Sequence, residues 1–204
     1  MERTKDLPER RSSPERGGYS DDIPWIYVTS RADLTANIRH SAWIRADQPP
    51  DKMQDQLDAF LAASPAARSG SPEAHGWFIE DTLGFYGHGP YLDTDIARIT
   101  NLGQGIDLHG EPFAAYAREH AGGEHGENLL SEFEEFYIAS FPDSETCIDK
   151  FLDSMGWSQA LNAFKNEQGI DCPLEFDRSC IWERYKEAWE VIETRSGTVH
   201  VFNT

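Results

Sequence analysis

Between Arg118 and Lys150 the chain has no Lys or Arg, yet nine carboxylates fall there: Glu119, Glu124, Glu127, Glu132, Glu134, Glu135, Asp143, Glu145 and Asp149. Any fold built on this stretch must keep those groups in water, because burying an unpaired carboxylate is strongly unfavourable. The elements that carry them must therefore have one apolar and one acidic face. Without Lys at i+4, each close like-charged pair also destabilises a helix by roughly 0.2–0.5 kcal/mol. The stretch is part of a wider imbalance. Residues 73–153 hold seventeen acids against three bases and so most of the net charge of −18.

This charge argues against direct nucleic-acid binding, which needs a basic stripe to neutralise phosphates, and against binding to anionic membranes. No apolar run approaches a membrane span of about 18 residues, and residues 1–20 lack the apolar centre of a secretory signal. Hydrophobic residues make up 39% of the chain, with six Trp, which is enough for a core. Cys147, Cys172 and Cys180 are an odd set without metal-type pairing, so a reduced, cytoplasmic protein is expected.

Hydropathy patterning predicts an α+β protein of two to three small domains. Residues 1–20 are polar, rich in Pro, Gly and Ser, and read as a disordered tail. Residues 21–90 read as a sheet-plus-helix domain, with strands at Trp25–Ser30, Ser41–Arg45 and GWFIED (76–81). A helix starting at Asp51 carries Met53, Leu57, Phe60 and Leu61. Residues 91–142 read as a central acidic helical domain. In it, Ile96, Ile99, Leu102 and Ile106 mark one helix and Pro112–Glu119 a second. Glu127–Ala139 reads as a third, with Leu129, Leu130, Phe133, Phe136 and Tyr137 opposite Glu127, Glu134 and Glu135, and with Glu132 at the flank. Residues 143–204 read as an α+β domain. Its first helix, capped by Ser144, turns Cys147, Ile148, Phe151, Leu152 and Met155 inward. Glu145, Asp149 and Asp153 recur there at i, i+4 and i+8, about 6 Å apart along the axis. Helical stretches at Trp157–Asn166 and around Ile181–Trp189 follow, and then a closing hairpin with Ser196-Gly197 at its turn.

Several ordered segments carry a family likeness. IYVTSRADLTANIRHSAWI (26–44), GWFIEDTLGF (76–85), IDLHGEPFAAYAREH (106–120), FEEFYIASFPDSE (133–145) and IWERYKEAW (181–189) occur in the order found in ArdA-type antirestriction proteins. The chain resembles that family over most of residues 25–204, although Glu80 stands where a His is common and Ala139 where a Gly is common. The resemblance implies an elongated, curved, three-domain homodimer joined through its C-terminal domain. It implies a non-enzymatic mimic of duplex DNA, without cofactors, that fills the DNA-binding groove of type I restriction–modification enzymes and blocks restriction and the associated methylation. The acids expected to stand in for phosphates are Glu80, Asp81, Asp93, Asp95, Asp107, Glu111, Glu119, Glu124, Glu127, Glu132, Glu134, Glu135, Asp143, Glu145, Asp149 and Asp153. Trp182, Tyr185 and Trp189 read either as core or as the dimer interface. Duplex DNA has one charge per about 1.7 Å, so a net charge of −18 matches about 30 Å of duplex.

Other readings are weaker. A solvated acidic face explains the charge without a partner, and an acidic protein could inhibit or chaperone another basic partner, such as a CRISPR or histone-like protein. His120, Glu124 and His125 could suggest a metal, but two glycines separate them and no HExxH or Cys pair accompanies them. Glu134 and Glu135 are adjacent, so on a helix they diverge by about 100° and cannot flank one bond. Asp93-Thr94-Asp95 lacks the rest of a calcium loop. The Gly-rich stretches at 87–90 and 103–105 lack the Gly-Lys-Ser/Thr ending of a phosphate loop.

Overall fold

The computed structural model describes residues 19–69, 76–91, 95–120 and 129–204. The expected disordered tail, but for its last two residues, lies outside them. The fold is mixed α+β, with two antiparallel three-stranded sheets among the described residues, and the chain divides into two compact units between Gly110 and Glu111. The sequence-derived segment boundaries after residues 90 and 142 do not coincide with this division. The reason lies in packing: the helix before Gly110 packs in the first unit, and a strand before residue 142 belongs to the second unit's sheet.

In the first unit, β1 (Trp25–Ser30) is followed by α1 (Arg31–Thr35), β2 (Ser41–Arg45), α2 (Pro50–Ala62), α3 (Pro65–Arg68), β3 (Trp77–Leu83) and α4 (Ile96–His109). The strand order β2-β1-β3 makes β1 central, as its run of β-branched and aromatic residues requires. Alternation along β1 sends Ile26 and Val28 to the core, across from Ile44 on β2 and Ile79 on β3. Met53, Leu57 and Leu61 on α2, and Ile99 and Ile106 on α4, are buried as well. Asp95 caps α4 by accepting the Ala97 N–H at 2.9 Å. The short α1 has no apolar repeat in the sequence to mark it. The Ser30 hydroxyl caps it by accepting the Asp33 N–H, and the wholly buried Asp33 carboxylate accepts the Ala66 N–H at 2.8 Å. Burial pushes the Asp33 pKa up, but hydrogen bonds from Ser64, Ala66 and Ser30 outweigh it and hold the group below its ordinary value.

The second unit contains α5 (Glu111–His120), α6 (Leu129–Phe136), β4 (Tyr137–Phe141), α7 (Ser144–Ser154), α8 (Trp157–Gln168), α9 (Arg178–Ala188), β5 (Glu190–Glu193) and β6 (Val199–Phe202). The expected closing hairpin is present as β5 and β6, and β4 joins it in the order β4-β6-β5. Here the expected helix over Glu127–Ala139 is corrected: α6 ends at Phe136, and Tyr137–Phe141 pairs with β6. The ring at Tyr137 fits either pattern, and pairing with a distant strand decides between them. The cap of α7 is also corrected, from Ser144 to Asp143, whose carboxylate accepts the Thr146 N–H at 2.7 Å. Met155, expected to face inward, is 52% exposed at the end of that helix.

The central strand β6 is buried on both faces. Val199 and Val201 pack with Cys147, Tyr185, Phe151, Trp182 and Trp189 from α7, α9 and the residue that follows α9. Phe202 lies on the other face, in ring contact with Tyr116 and Phe133. Each large buried side chain contributes about 1.5–3 kcal/mol. His200 shares the face of Phe202, is fully buried, and bonds Ser140 Oγ through Nδ1 at 2.6 Å. Burial holds its pKa below the ordinary value, so the folded chain favours the neutral ring. Stability is therefore fully present above the unfolded pKa of about 6.5 and is lost as pH falls below it toward the folded pKa. Urea midpoints measured between pH 7.5 and 5.5 are expected to fall with acidification in the wild type, and the slope is expected to flatten in His200→Gln.

Candidate functional site

In the second unit the acidic array stands on two helices, each anchored by an apolar face. On α6, Leu129 and Phe133 are buried, whereas Glu134 and Glu135 are exposed and Glu132 is half-buried. On α7, Cys147, Ile148 and Leu152 are buried, whereas Glu145, Asp149 and Asp153 are all exposed. Their i, i+4, i+8 spacing gives a row of carboxylates about 6 Å apart along a rigid axis. Asp143 and Glu119 are exposed nearby in sequence, and Glu111 is half-buried at the start of α5. Asp143 also caps α7. The Thr146 backbone N–H and hydroxyl hold its carboxyl below the ordinary range.

Among the described residues, Glu119 and Asp149 carry cations of their own. Arg118 pairs with its neighbour Glu119, and Arg178 from α9 bonds Asp149 at 2.6 Å. That bond, ahead of charge attraction from Asp149 and then Glu145, raises the Arg178 pKa. The sequence gap in Lys and Arg hides this neutralisation, because Arg178 is 29 residues from Asp149 and reaches it only through the fold. The acidity of the unit also acts on Tyr116. Burial first, then the charges of Glu132 and Glu190, hold its phenol above the ordinary value.

The first unit places Asp95 and Asp107 in solvent and leaves Glu80 and Asp81 half-buried on β3. Asp107 acts at a distance on Arg45, whose main partner is the Asp47 carboxylate. Glu80 is bulged out of the β1–β3 register and bonds Thr29, so it belongs to a local polar network. Asp93, Glu124 and Glu127 lie outside the described residues, as does His125.

The aromatic residues proposed as core or interface are mostly used inside the unit. Tyr185 is buried, and its ring lies 5.9 Å from Trp182 and 4.5 Å from Trp189. Burial raises the Tyr185 pKa, and the adjacent Cys147 thiol adds to this. The exposed large apolar side chains of residues 143–204 are instead Met155, Trp157, Phe164 and Leu174. Sequence reasoning missed them because a helical apolar stripe does not reveal whether a neighbour covers it.

His120 is engaged inside the second unit. Its ring stacks on Tyr116, and Nε2 donates to Glu190 Oε1 at 2.8 Å. Among the described residues no three His, Cys, Asp or Glu side chains come together as a metal site, and all three cysteines are free thiols. No helix among the described residues is long and apolar enough to cross a membrane. In comparisons with protein-family models and with curated protein sequences, nothing matches the chain.

Proposed function

We propose that this protein is an ArdA-type DNA mimic, which fills the DNA-binding groove of a type I restriction–modification enzyme and blocks restriction and the associated methylation. The observation that carries the reading is the exposed row of Glu145, Asp149 and Asp153 along α7, backed by a buried apolar face. Glu134 and Glu135 on α6 and the net charge of −18 add to it.

The mechanism is competition. A basic groove that binds duplex DNA gains free energy by releasing condensed counterions, and a fixed array of carboxylates provides a similar polyanion. Much of a restriction enzyme's grip on DNA is through the backbone, so the mimic needs no base edges. Carboxylates held by packed helices lose little entropy on docking, and the excess negative charge speeds encounter. In this reading the protein is not an enzyme, needs no cofactor, acts in the cytoplasm and does not bind nucleic acid itself. A second copy joining through residues 143–204 would lengthen the array. The exposed Met155, Trp157 and Phe164 provide apolar surface for that contact.

The direct test is displacement of a labelled duplex from a purified type I enzyme. Inhibition is expected to be competitive with DNA and to weaken as salt rises. Failure to displace DNA, together with tight binding to a CRISPR or histone-like protein, would assign the acidic surface to that other partner.

A further inference from the structure

The outer face of the first sheet carries a cleft of about 280 Å³, lined by Glu80, Thr29, Ser41, Leu34, Ile38 and Arg39, among other residues. Its polar floor has a fixed hydrogen-bond direction. Thr29 Oγ1 lies 2.6 Å from Glu80 Oε2, and a carboxylate only accepts, so the single Thr29 hydroxyl proton points to Glu80. Thr29 Oγ1 also lies 2.9 Å from Ser41 Oγ, so Ser41 must donate in that contact. Both hydroxyl protons are then committed across the three strands. The floor offers the cleft the remaining lone pairs of Ser41 and of Glu80, which are acceptors only.

This arrangement is built by the fold. Ser41 and Thr29 face each other directly in the β1–β2 register, and the bulge in β3 at Glu80 turns its side chain onto the same face. Glu80 is half-buried, and among the described residues its one hydrogen-bond partner is Thr29. Leu34 and Ile38, 39% and 38% exposed, supply apolar walls beside the acceptors.

We propose that this cleft binds a primary ammonium group carried on an aliphatic stem. The ammonium has three donors and no acceptor, which matches a floor made of a carboxylate and an acceptor hydroxyl. The stem lies against Leu34 and Ile38. Arg39, engaged in contacts of its own, also lines the cleft. The volume suits a group of lysine side-chain size. The inference stands apart from DNA mimicry, since neither its argument nor its test uses a restriction enzyme.

The test is an amide-resolved NMR titration of the full chain with n-butylammonium and with N-acetyl-lysine N-methylamide. The uncharged N-acetyl-norleucine N-methylamide serves as the control. Saturable shifts confined to Thr29, Ile38, Ser41 and Glu80 are expected with the amines, and affinity is expected to fall about tenfold in Glu80→Gln. Ser41→Ala, which removes one acceptor and leaves the charge, is expected to weaken binding less. Unchanged spectra elsewhere show that both variants stay folded. Binding of both amines, or of only one, supports the site, and the second case assigns a free amine or a peptide lysine as its source. Equal binding of the norleucine control, full affinity in Glu80→Gln, or no localised shift with either amine overturns it.

Discussion

Replacing Glu134, Glu135, Glu145 and Asp153 together with Lys is expected to weaken inhibition of a type I restriction enzyme by roughly a hundredfold or more. Each reversal exchanges an attraction to the basic groove for a repulsion, and the four residues span both acidic helices. All four side chains are exposed, so the fold should survive, since surface changes usually stay within about 0.5 kcal/mol each. On α7 the dipole terms also offset each other. Glu145 lies in the first turn, where a carboxylate is favoured, and Asp153 near the last, where a cation is favoured. Asp149 is left in place because its bond to Arg178 would become a clash of cations. Single Ala replacements should change inhibition less than about threefold, because the energy is spread over the array. The measurement is restriction protection in cells beside DNA displacement in vitro, with circular dichroism and unfolding midpoints as fold controls. The dependence of inhibition on salt should become shallower as charges are reversed. Undiminished inhibition by a folded quadruple variant would end the mimicry proposal.

Gly103→Ala is expected to destabilise the first unit by about 2–3 kcal/mol. Gly103 sits in α4, where an exposed Gly-to-Ala change would ordinarily stabilise by about 1 kcal/mol. Here the helix crosses the end of β2 so closely that an added Cβ would overlap the carbonyl carbon and oxygen of Ala46. Those atoms are backbone, and Ala46 N–H is itself bonded to Pro24 O at 2.9 Å, so the strand end cannot easily move aside. Ile99 and Ile106, on the same side of the helix, would be lifted with it. Denaturant unfolding followed by far-UV signal would show an earlier transition for the first unit, and the second unit would be unaffected. A variant as stable as the wild type would mean that α4 does not dock on β2 at Ala46.

Most secondary structure was legible wherever a segment's pattern had one meaning. Trp25–Ser30 is too β-branched and aromatic for a surface helix, and the helices at Met53–Leu61 and Cys147–Leu152 carry their apolar residues at helical spacing with acids between them. The failures fall where two meanings coexist. Tyr137 continues the helical stripe of Leu129 and Phe133, yet it begins a strand, because β6 offers unpaired backbone groups there. Ser144 is a good cap by type, but Asp143, one residue earlier, has the carboxylate that reaches Thr146. In the acidic surface, the exposed sides of α6 and α7 were readable from spacing. The role of Glu80 was not, because a bulge, a partner threonine and a neighbouring strand are all needed to define it.

The amino-acid order settled which side chains had to meet water, since the hydration of a carboxylate and the burial of a leucine are local properties repeated at every turn of a helix. It could not settle which distant groups would meet. Arg178 against Asp149, His120 against Glu190 and the helix α4 against Ala46 are long-range contacts. They depend on how β6 and β1 gather separate segments into two sheets, and that is decided by the joint packing of whole faces, on which no single stretch of chain carries enough information.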